Sequence, residues 1–340
     1  MKITVLMGGA SSERNVSLAS GLRIAEALRS RGHEVIAYDP SKGVISPDEE
    51  RKLSEGGVGR EPPSPESLAE VTGGSFLPAL ERQPELVNAD VVFLGLHGGQ
   101  GEDGTLQALL DMAHIRYTGS GHLASALAMD KDLSKKLFRA GGVSTPDWLM
   151  APASIDDVER TLGLPVVVKP SKQGSTVGLT VVKTRDQFEP AVKEAWRFDD
   201  EVMIEQFIPG RELTVGVLGD RVFPVGEIKP KHEIYDYECK YTPGMAEEEF
   251  PANLSPGQTA EVQRQALAAF RALKLGGCAR IDFRLSSSDD GSGKGGSDFY
   301  CLEANTLPGM TELSLIPQGA VASGMSFAEL CEEIANLARK

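Results

Sequence analysis

The sequence predicts an N-terminal α/β domain with a parallel sheet, followed by α+β parts with mostly antiparallel sheets. An apolar strand at 2–7, an amphipathic helix from about 15 to 31 and a strand at 34–38 form a β–α–β unit. The right-handed crossover of such a unit implies parallel strands. Beyond residue 140, strands with hairpin signals predominate and are segregated from the helices, which is typical of α+β architecture.

The first domain is expected to span residues 1–120, because a buried strand at 89–96 and a helix at 105–114 complete its pattern. Residues 41–67 contain four prolines, many Gly, Ser and Glu, and no aromatic side chain. Such a segment buries little apolar surface. The sequence therefore predicts a surface insertion, partly disordered, over about 41–85.

Two further parts are expected at 121–210 and 211–340. The first of them begins with a helical stretch at about 120–140, and a helix at 256–273 precedes the last hairpin. The strands predicted between these helices occupy 165–169, 178–183, 201–207, 212–218 and 221–229. The last hairpin pairs residues 279–286 with residues 298–305.

Composition excludes several classes of protein. The net charge of −14 argues against a nucleic-acid binder, which needs a basic surface to neutralise phosphates. The longest run without a charged residue, 313–328, is interrupted by Pro and Gly, whereas a membrane-spanning helix needs about 20 mostly apolar residues. The four cysteines lack metal-site or disulfide spacing. We therefore expect a cytoplasmic protein with reduced thiols.

The last hairpin carries a cluster of polar side chains. Arg280 and Asp282 share one strand face, and Glu303 shares a face with Asn305, with Leu302 and Ala304 on the opposite side. If Asp282 lies opposite Glu303, the turn is centred between residues 292 and 293, within a Gly/Ser-rich run. Two carboxylates and an amide oxygen on one face suit Mg²⁺ together with substrate phosphates. The alternative is a solvated face with Arg280 paired to a carboxylate.

A second cluster lies at 166–178, where an apolar strand delivers Lys169 and a Gly/Ser loop leads into another strand. No GK[ST] element opens a helix here, so it is not a Walker A loop. A strand–loop–strand of this kind can cover phosphates with backbone N–H groups. The alternative is a flexible hairpin with a surface lysine.

Other polar segments are ambiguous on their own. Glu205 and Glu212 bracket a Pro-Gly turn, and Glu13 lies between a strand and a helix, where it can stabilise the helix start. The segment 97–104 is a Gly-rich loop, and residues 235–241 concentrate aromatic and charged groups. Polar aromatics in such a segment are typical of a lid, and a partner surface is the alternative.

Taken together, these motifs resemble the D-alanine–D-alanine ligases of the ATP-grasp superfamily, and the resemblance runs from residue 8 to residue 315. The matching motifs are GGASSERNVSLASG (8–21), HGGQGEDGTLQ (97–107), MDK (129–131), KPSKQGSTVG (169–178), EQFIPGRELTV (205–215), YDYECKY (235–241), RIDF (280–283) and EANTLPGMTELSL (303–315). The resemblance implies that the parts after residue 120 form a two-part ATP-grasp fold with antiparallel sheets.

The resemblance implies an ATP site and a site for two Mg²⁺ ions, with Mn²⁺ as a substitute. Glu205 would hold the adenine and Glu212 the ribose. The remaining nucleotide contacts would come from Lys131, Lys169, Ser175, Gln206, Ile208, Lys240 and Asn305. The metal ligands would be Asp282, Glu303 and Asn305.

The resemblance also implies two D-alanine sites and a D-alanyl phosphate intermediate. Glu13 would bind the first ammonium group, joined by Ser175 and Tyr241 in a hydrogen-bonded triad, with His97 nearby. The second carboxylate would bind at Ser314 and Leu315, and Arg280 with the Gly309 N–H would stabilise the oxyanion. The expected partners are ATP and D-alanine, without nucleic acid or membrane, and the expected assembly is a homodimer.

Three alternatives and three departures from the family pattern accompany this interpretation. A ligase that joins D-alanine to D-lactate or D-serine is the nearest alternative. Tyr241 favours an amine acceptor, because the resemblance implies that resistance-type D-lactate ligases have a histidine at this lid position. Another ATP-grasp carboxylate–amine ligase and a non-catalytic relative are the others. The insertion at 41–85 and the turn at 286–297 are long, and Gln206 replaces a commonly basic residue.

Overall fold

The computed structural model describes residues 1–56, 79–232, 234–235, 237–242, 244–286 and 299–338, apart from the side chains of Tyr237 and Tyr241. These residues form three sheets, one parallel apart from an edge strand and two antiparallel. The predicted combination of α/β and α+β architecture is therefore confirmed. In this part of the chain, no helix combines the length and apolarity needed to cross a bilayer.

The first sheet has the strand order β3-β2-β1-β4. Strand β1 pairs in parallel with β2 and β4, as the β–α–β pattern predicts, and the short β3 adds an antiparallel edge. Its elements are β1 (Lys2–Leu6), α1 (Arg14–Ser30), β2 (Glu34–Asp39), β3 (Gly43–Val44), α2 (Pro47–Gly56), α3 (Pro84–Val87), β4 (Val91–Leu94) and α4 (Thr105–Met112).

The predicted insertion is more ordered than its composition indicates. It contains β3, α2 and α3, and Ile45 is buried. Helix α2 begins where Ser46 and Glu49 exchange hydrogen bonds, and Glu50 pairs with Arg29 of α1. Local capping and one ion pair to α1 support the ordered residues of the insertion, and its predicted partial disorder stays a prediction. Residues 57–78 lie outside the described part of the chain.

The second sheet is antiparallel, with the order β5-β8-β6-β7. The helix predicted at 120–140 is two helices, because the backbone of Asp130 is extended and its side chain accepts a hydrogen bond from Leu133 N. Asp130 thus caps a new helix. The elements of this part are α5 (His122–Met129), α6 (Lys131–Ala140), β5 (Trp148–Met150), α7 (Ile155–Thr161), β6 (Val166–Pro170), β7 (Thr180–Val182), α8 (Phe188–Ala195) and β8 (Val202–Gln206).

The third sheet is antiparallel in the order β12-β11-β9-β13-β14, with β10 paired to β9. The strand predicted at 221–229 is divided into β10 and β11, because Pro224 cannot donate to a ladder. The elements are β9 (Gly210–Leu218), β10 (Arg221–Val222), β11 (Gly226–Pro230), α9 (Tyr237–Tyr241), β12 (Ala246–Glu249), α10 (Pro256–Ala272), β13 (Cys278–Ser286), β14 (Phe299–Asn305), α11 (Leu315–Ala322) and α12 (Phe327–Asn336).

The register of the last hairpin places Asp282 opposite Glu303, as predicted. A β-bulge follows, and Phe283 pairs with Cys301, which leaves Leu302 without a partner in the ladder. A bulge turns the extra residue out of the alternation. Leu302 consequently lines the same cleft as Glu303, and its predicted position on the opposite face is wrong. The predicted turn centre lies outside the described residues.

The three predicted domain boundaries stay a prediction, although the three sheets occupy successive parts of the chain. Helix α10 packs across β9, β13 and β14 and buries the apolar face of the third sheet. Its start is fixed by a capping box of Ser255 and Gln258. The opposite face of β13 and β14 is thereby left to carry the polar cluster.

Candidate active site

A large cleft that opens to solvent lies between the second and third sheets, with about 1030 Å³ of space that protein atoms do not fill. Its walls combine side chains of both sheets with the loop after β6 and the segment before α9. The predicted site residues that line it are Lys131, Lys169, Ser175, Glu205, Gln206, Ile208, Glu212, Lys240, Arg280, Asp282, Glu303 and Leu315. The cleft therefore brings together the lysines, the glycine loop and the carboxylates that the sequence identified separately.

The glycine loop follows β6 and closes over one end of the cleft. Ser175 and Thr176 have positive φ angles of 52° and 65°, which residues other than glycine rarely adopt. Two contacts hold this conformation: Ser175 Oγ donates to Glu13 Oε1, and Thr176 Oγ1 donates to Tyr235 O at 3.0 Å. The loop thus links the first sheet to the segment before α9.

Lys131 lies at the start of α6 and connects the glycine loop to the last hairpin, which carries the predicted metal ligands. Its Nζ donates to Gln173 O at 2.7 Å and lies 3.3 Å from Glu303 Oε2. Lys240 lies over the ring of Tyr235, 5.5 Å from its centroid. Burial alone would raise the pKa of Glu303, but Lys131, Lys240 and other cations lower it to about 2. The cleft is therefore cationic around an ionised carboxylate.

Glu205 is buried between two lysines. Its carboxylate accepts from Lys169 Nζ at 2.8 Å and from Lys135 Nζ at 2.5 Å. Burial would raise the pKa of Glu205, yet Lys135 and Lys169 together lower it. Burial lowers the pKa of Lys135 to about 8, although Glu205 opposes this. Thr145 Oγ1 accepts the second hydrogen bond of Lys135, at 2.7 Å.

Lys135 is absent from the residues that the sequence identified. It lies four residues after Lys131 and three before Phe138, on the buried face of α6. Residues three and four apart share one helix face. That spacing was the available signal, since it places a lysine on the same face as a buried phenylalanine.

Glu212 lies on β9 and lines the cleft, close to Arg284 on β13. Its Oε2 lies 3.3 Å from Arg284 Nη1, and burial raises the pKa of Glu212 although Arg284 opposes the shift. Arg284 also donates to Ile208 O at 3.1 Å and to Gly210 O at 2.7 Å. This second residue missed from the sequence thus connects the turn at 208–210 to the sheet.

Asp282 is the centre of the polar face of the third sheet. Arg280 donates to both of its carboxylate oxygens, at 2.9 to 3.2 Å. Thr214 Oγ1 donates to Oδ1 at 2.7 Å and Asn305 Nδ2 donates to Oδ2 at 3.0 Å. Burial alone would lower the pKa of Arg280, but Asp282 raises it, so the guanidinium stays charged. Arg280 Nη1 makes no hydrogen bond to the described residues.

The loop before α1 is held by a buried ion pair of Arg14 with Asp39. Arg14 Nη1 donates to Gly9 O at 2.7 Å, and Asp39 Oδ1 accepts from Gly9 N at 3.3 Å. A Cβ on Gly8, whose φ is +84°, would lie 2.8 Å from Arg14 Nη1, so only glycine fits. This arrangement determines where Glu13 meets Ser175.

His97 and Glu102 lie in the Gly-rich loop after β4 and contact the segment that follows β14. His97 Nδ1 lies 2.9 Å from Leu307 O, and its Nε2 lies 3.1 Å from Ser20 Oγ. Burial lowers the pKa of His97 below its ordinary value. Burial, together with the charge of Glu13, raises the pKa of Glu102 to about 7.

The segment before α11 contains Gly309 and Ser314. Ser314 Oγ accepts from Thr311 N at 2.9 Å, and a Cβ on Gly309 would lie 2.7 Å from that oxygen. Leu315 is the first residue of α11 and lines the cleft. Glu13, His97, Gly309 and Ser314 do not line the cleft themselves, but Ser175 and Leu315 connect it to them.

The side chain of Tyr241 lies outside the described residues, so the Tyr241 member of the predicted triad stays a prediction. In the part of the chain that the structure describes, no group of three or more His, Cys, Asp or Glu could hold a metal ion by itself. The predicted metal set contains only two carboxylates, which therefore need other oxygen ligands.

A cleft between two antiparallel sheets, lined by lysines and carboxylates and preceded in the chain by a mainly parallel α/β sheet, defines an ATP-grasp ligase. A family model described as "D-ala D-ala ligase N-terminus" matches residues 2–120, and one described as "D-ala D-ala ligase C-terminus" matches residues 137–336. The chain belongs to the D-alanine–D-alanine ligase family.

Individual relatives agree. The chain is 42% identical over 347 residues to the D-alanine–D-alanine ligase of Halalkalibacterium halodurans, which covers 100% of both chains. It is 42% identical to the ligase of Geobacter sulfurreducens, over 98% of this chain and 92% of the relative.

Solved structures match over 99% of this chain. The D-alanine–D-alanine ligase of Bacillus anthracis in complex with ATP is 29% identical, with a TM-score of 0.72 over 96% of its own chain. The VanG D-Ala:D-Ser ligase of Enterococcus faecalis is 28% identical, with a TM-score of 0.78 over 98% of its own chain.

Proposed function

We propose that the protein joins two D-alanine molecules into D-alanyl-D-alanine at the expense of ATP, in the synthesis of peptidoglycan precursors in the cytoplasm. The observation that carries this proposal is the continuity of one cleft. Lysines and carboxylates line its main part, and Ser175 connects it to Glu13 at its end. A phosphate donor and a small ammonium-bearing substrate can therefore meet there.

The nucleotide is proposed to occupy the cleft with its adenine near Glu205 and its ribose near Glu212. Both carboxylates are ordered by cations, Lys135 and Lys169 for the first and Arg284 for the second. Lys131, Lys169 and Lys240 would then attract the phosphates. The ATP complex of the Bacillus anthracis relative supports this class of ligand.

The donor set fits magnesium carried in by the nucleotide. Asp282 and Glu303 face each other across the hairpin, and Asn305 uses its amide nitrogen for Asp282, which leaves its amide oxygen as a ligand. Mg²⁺ commonly takes one or two carboxylates together with water and phosphate oxygens. When bound, the proposed two Mg²⁺ ions would neutralise charge on the phosphates during transfer.

In the first step, a carboxylate oxygen of the first D-alanine attacks the γ-phosphorus of ATP. The bond from that phosphorus to the bridging oxygen breaks, and ADP leaves with the electron pair. Glu13 is proposed to hold the ammonium group, since Ser175 occupies its Oε1 and no described residue donates to its Oε2. The product is D-alanyl phosphate.

In the second step, the neutral amine of the second D-alanine attacks the acyl carbon, and the proton that it loses leaves with the phosphate. The carbon–oxygen bond to phosphate then breaks, so phosphate leaves and the peptide bond remains. Arg280 Nη1 and the Gly309 N–H are proposed to stabilise the oxyanion. Closure by the glycine loop, held to Glu13 and Tyr235, excludes water that would hydrolyse the acyl phosphate.

The second D-alanine is proposed to bind with its carboxylate at Ser314 and the backbone of Leu315, which together begin α11. A helix N-terminus attracts a carboxylate through its free N–H groups. The curated relatives above are named D-alanine–D-alanine ligases, which supports D-alanine as acceptor. Because the VanG relative is named a D-Ala:D-Ser ligase, D-serine is the acceptor whose use should be compared with that of D-alanine.

The test is an assay of the purified chain with ATP, Mg²⁺ and D-alanine. We expect ADP, phosphate and a product with the mass of D-alanyl-D-alanine, in equal amounts. D-serine and D-lactate are then offered with limiting D-alanine. Tyr241 predicts that an amine acceptor is used in preference to D-lactate, and the names of the curated relatives favour D-alanine over D-serine. Preferred formation of a D-serine or D-lactate product would assign the neighbouring specificity, and no ADP with any acceptor would refute the proposal. Sedimentation of the same sample tests the proposed homodimer.

A further inference from the structure

The segment 307–310, which carries Gly309, is attached to the N-terminal part of the chain by three side chains. Leu307 O lies 2.9 Å from His97 Nδ1, and Leu307 N donates to Glu102 Oε1 at 3.4 Å. Met310 N donates to Ser20 Oγ at 3.2 Å. Leu307 and Met310 are buried, as are Ser20 and His97. The backbone is therefore fixed on both sides of Gly309.

The hydrogen bonds determine the tautomer of His97. A carbonyl oxygen only accepts, so Nδ1 carries the proton that Leu307 O receives. In the neutral ring, Nε2 then accepts from Ser20 Oγ. Ser20 in turn accepts from Met310 N, so each group donates and accepts consistently. Both ring nitrogens are used inside the protein, and neither is free for a substrate.

Gly309 differs from its neighbours in the same segment. The N–H groups of Leu307, Met310 and Thr311 all donate to side chains of the protein. The N–H of Gly309 has no hydrogen-bond partner among the described residues. A fixed backbone with one uncommitted donor is the arrangement that stabilises a developing negative charge.

We propose that Ser20, His97 and Glu102 form an interdomain clamp that positions the Gly309 N–H for the second step of the reaction. His97 is thereby a positioning residue that acts through Leu307 and Ser20, and it does not touch D-alanine. The inference rests on the proposed function, because the role of Gly309 belongs to it. This clamp gives His97 a role different from the substrate contact that the family resemblance implied.

A looser clamp has a specific consequence. The first step uses ATP and the first carboxylate, which Gly309 does not contact, so D-alanyl phosphate still forms. Attack by the second amine slows, and water competes for the intermediate. The ratio of ADP to dipeptide then rises above one. A purely structural role would lower stability or total activity but would leave this ratio unchanged.

The experiment measures ADP and dipeptide in parallel for the complete chain with ATP, Mg²⁺ and D-alanine. Ser20→Ala removes the link from Met310 to His97, and His97→Gln removes the donor to Leu307. For both variants we expect dipeptide formation to fall about tenfold or more, with a KM for ATP within about twofold of the original and a raised ADP ratio. In His97→Asn, an amide N–H replaces the Nδ1 donor, so this variant should lie closer to the original protein.

The matched control is Ser125→Ala. Ser125 is a buried serine on α5 whose Oγ donates to Ser120 O and makes no hydrogen bond to Ser20, His97 or Glu102. Its ratio should stay at one. If Ser20→Ala also keeps a ratio of ADP to dipeptide of one, the clamp is wrong, whatever the stability of this variant. If His97→Gln and His97→Asn raise the KM for D-alanine tenfold while Ser20→Ala does not, His97 contacts substrate and the proposal is overturned.

A failure of the proposed function itself gives a different result. The unsubstituted chain would then form no dipeptide, and the clamp would fall with it. Should Ser20→Ala unfold at the assay temperature, the comparison of His97→Gln with His97→Asn carries the test, because the two differ only in which ring position the amide replaces.

Discussion

The Arg14–Asp39 ion pair offers a sharp test of how the site is held. The two side chains are only 7% and 2% exposed. Asp39→Asn keeps the shape but leaves the guanidinium buried without a countercharge. Breaking a buried pair in this way costs about 3–5 kcal/mol. The loop that Arg14 fixes through Gly9 O also positions Glu13, so we expect a raised KM for D-alanine.

The assay is urea unfolding followed by tryptophan fluorescence, with kinetics on the same samples. The control is Glu50→Gln, which breaks the more exposed Arg29–Glu50 pair, whose side chains are 39% and 15% exposed. Such a surface pair contributes about 0–1 kcal/mol.

Removing both charges distinguishes charge burial from loop positioning. The double variant Arg14→Met with Asp39→Leu should be more stable than Asp39→Asn, because no buried charge is left unpaired. It should not regain activity, because Gly9 has lost its anchor. The reasoning is refuted if Asp39→Asn loses no more stability than Glu50→Gln.

Three further predictions concern the cleft and the clamp. Glu303→Gln should lower kcat by about 10² or more, because the proposed metal set loses a carboxylate. The control Glu249→Gln, on the edge strand β12 of the third sheet, should not lower kcat. Equal kcat values for the two variants would contradict the assignment. Lys135→Met should raise the KM for ATP about tenfold, a loss of roughly 1.4 kcal/mol, because its buried carboxylate partner loses orientation, while the exposed neighbour substitution Lys136→Met should leave it unchanged. Glu102 has a pKa raised to about 7, so it stabilises the fold most below its unfolded pKa of about 4.5 and less as the pH rises through 7. Urea unfolding should therefore show the original protein losing stability relative to Glu102→Gln, by on the order of 1–3 kcal/mol between pH 5 and pH 8, and a constant difference would refute the shift.

The hairpin shows how far local reasoning reaches. The alternation of side chains and the length of the loop predicted that Asp282 faces Glu303, and the register confirms it. The bulge after Asp282 was not predictable, because alternation assumes an unbroken ladder. Leu302 moved to the cleft face as a result. Local pattern determines pairing, but packing across the sheet decides where the ladder breaks.

The buried lysine shows a second limit. Helical spacing places Lys135 on the inner face of α6, yet nothing near it in sequence supplies a countercharge. Its partner Glu205 lies 70 residues further on. A charge is buried only where an opposite charge meets it, and that meeting depends on how α6 packs against the second sheet.

What the sequence determined by itself was the order of its motifs and elements, and with them the family, because these depend on the spacing of side chains along one chain. Tertiary structure decided which groups that lie far apart in the sequence share a hydrogen bond. The two nitrogens of His97 meet Leu307 and Ser20, which are 210 and 77 residues away. Contacts between residues so far apart in the sequence arise only when separate elements pack, and here they attach His97, which the sequence placed near the substrate, to the backbone of Leu307.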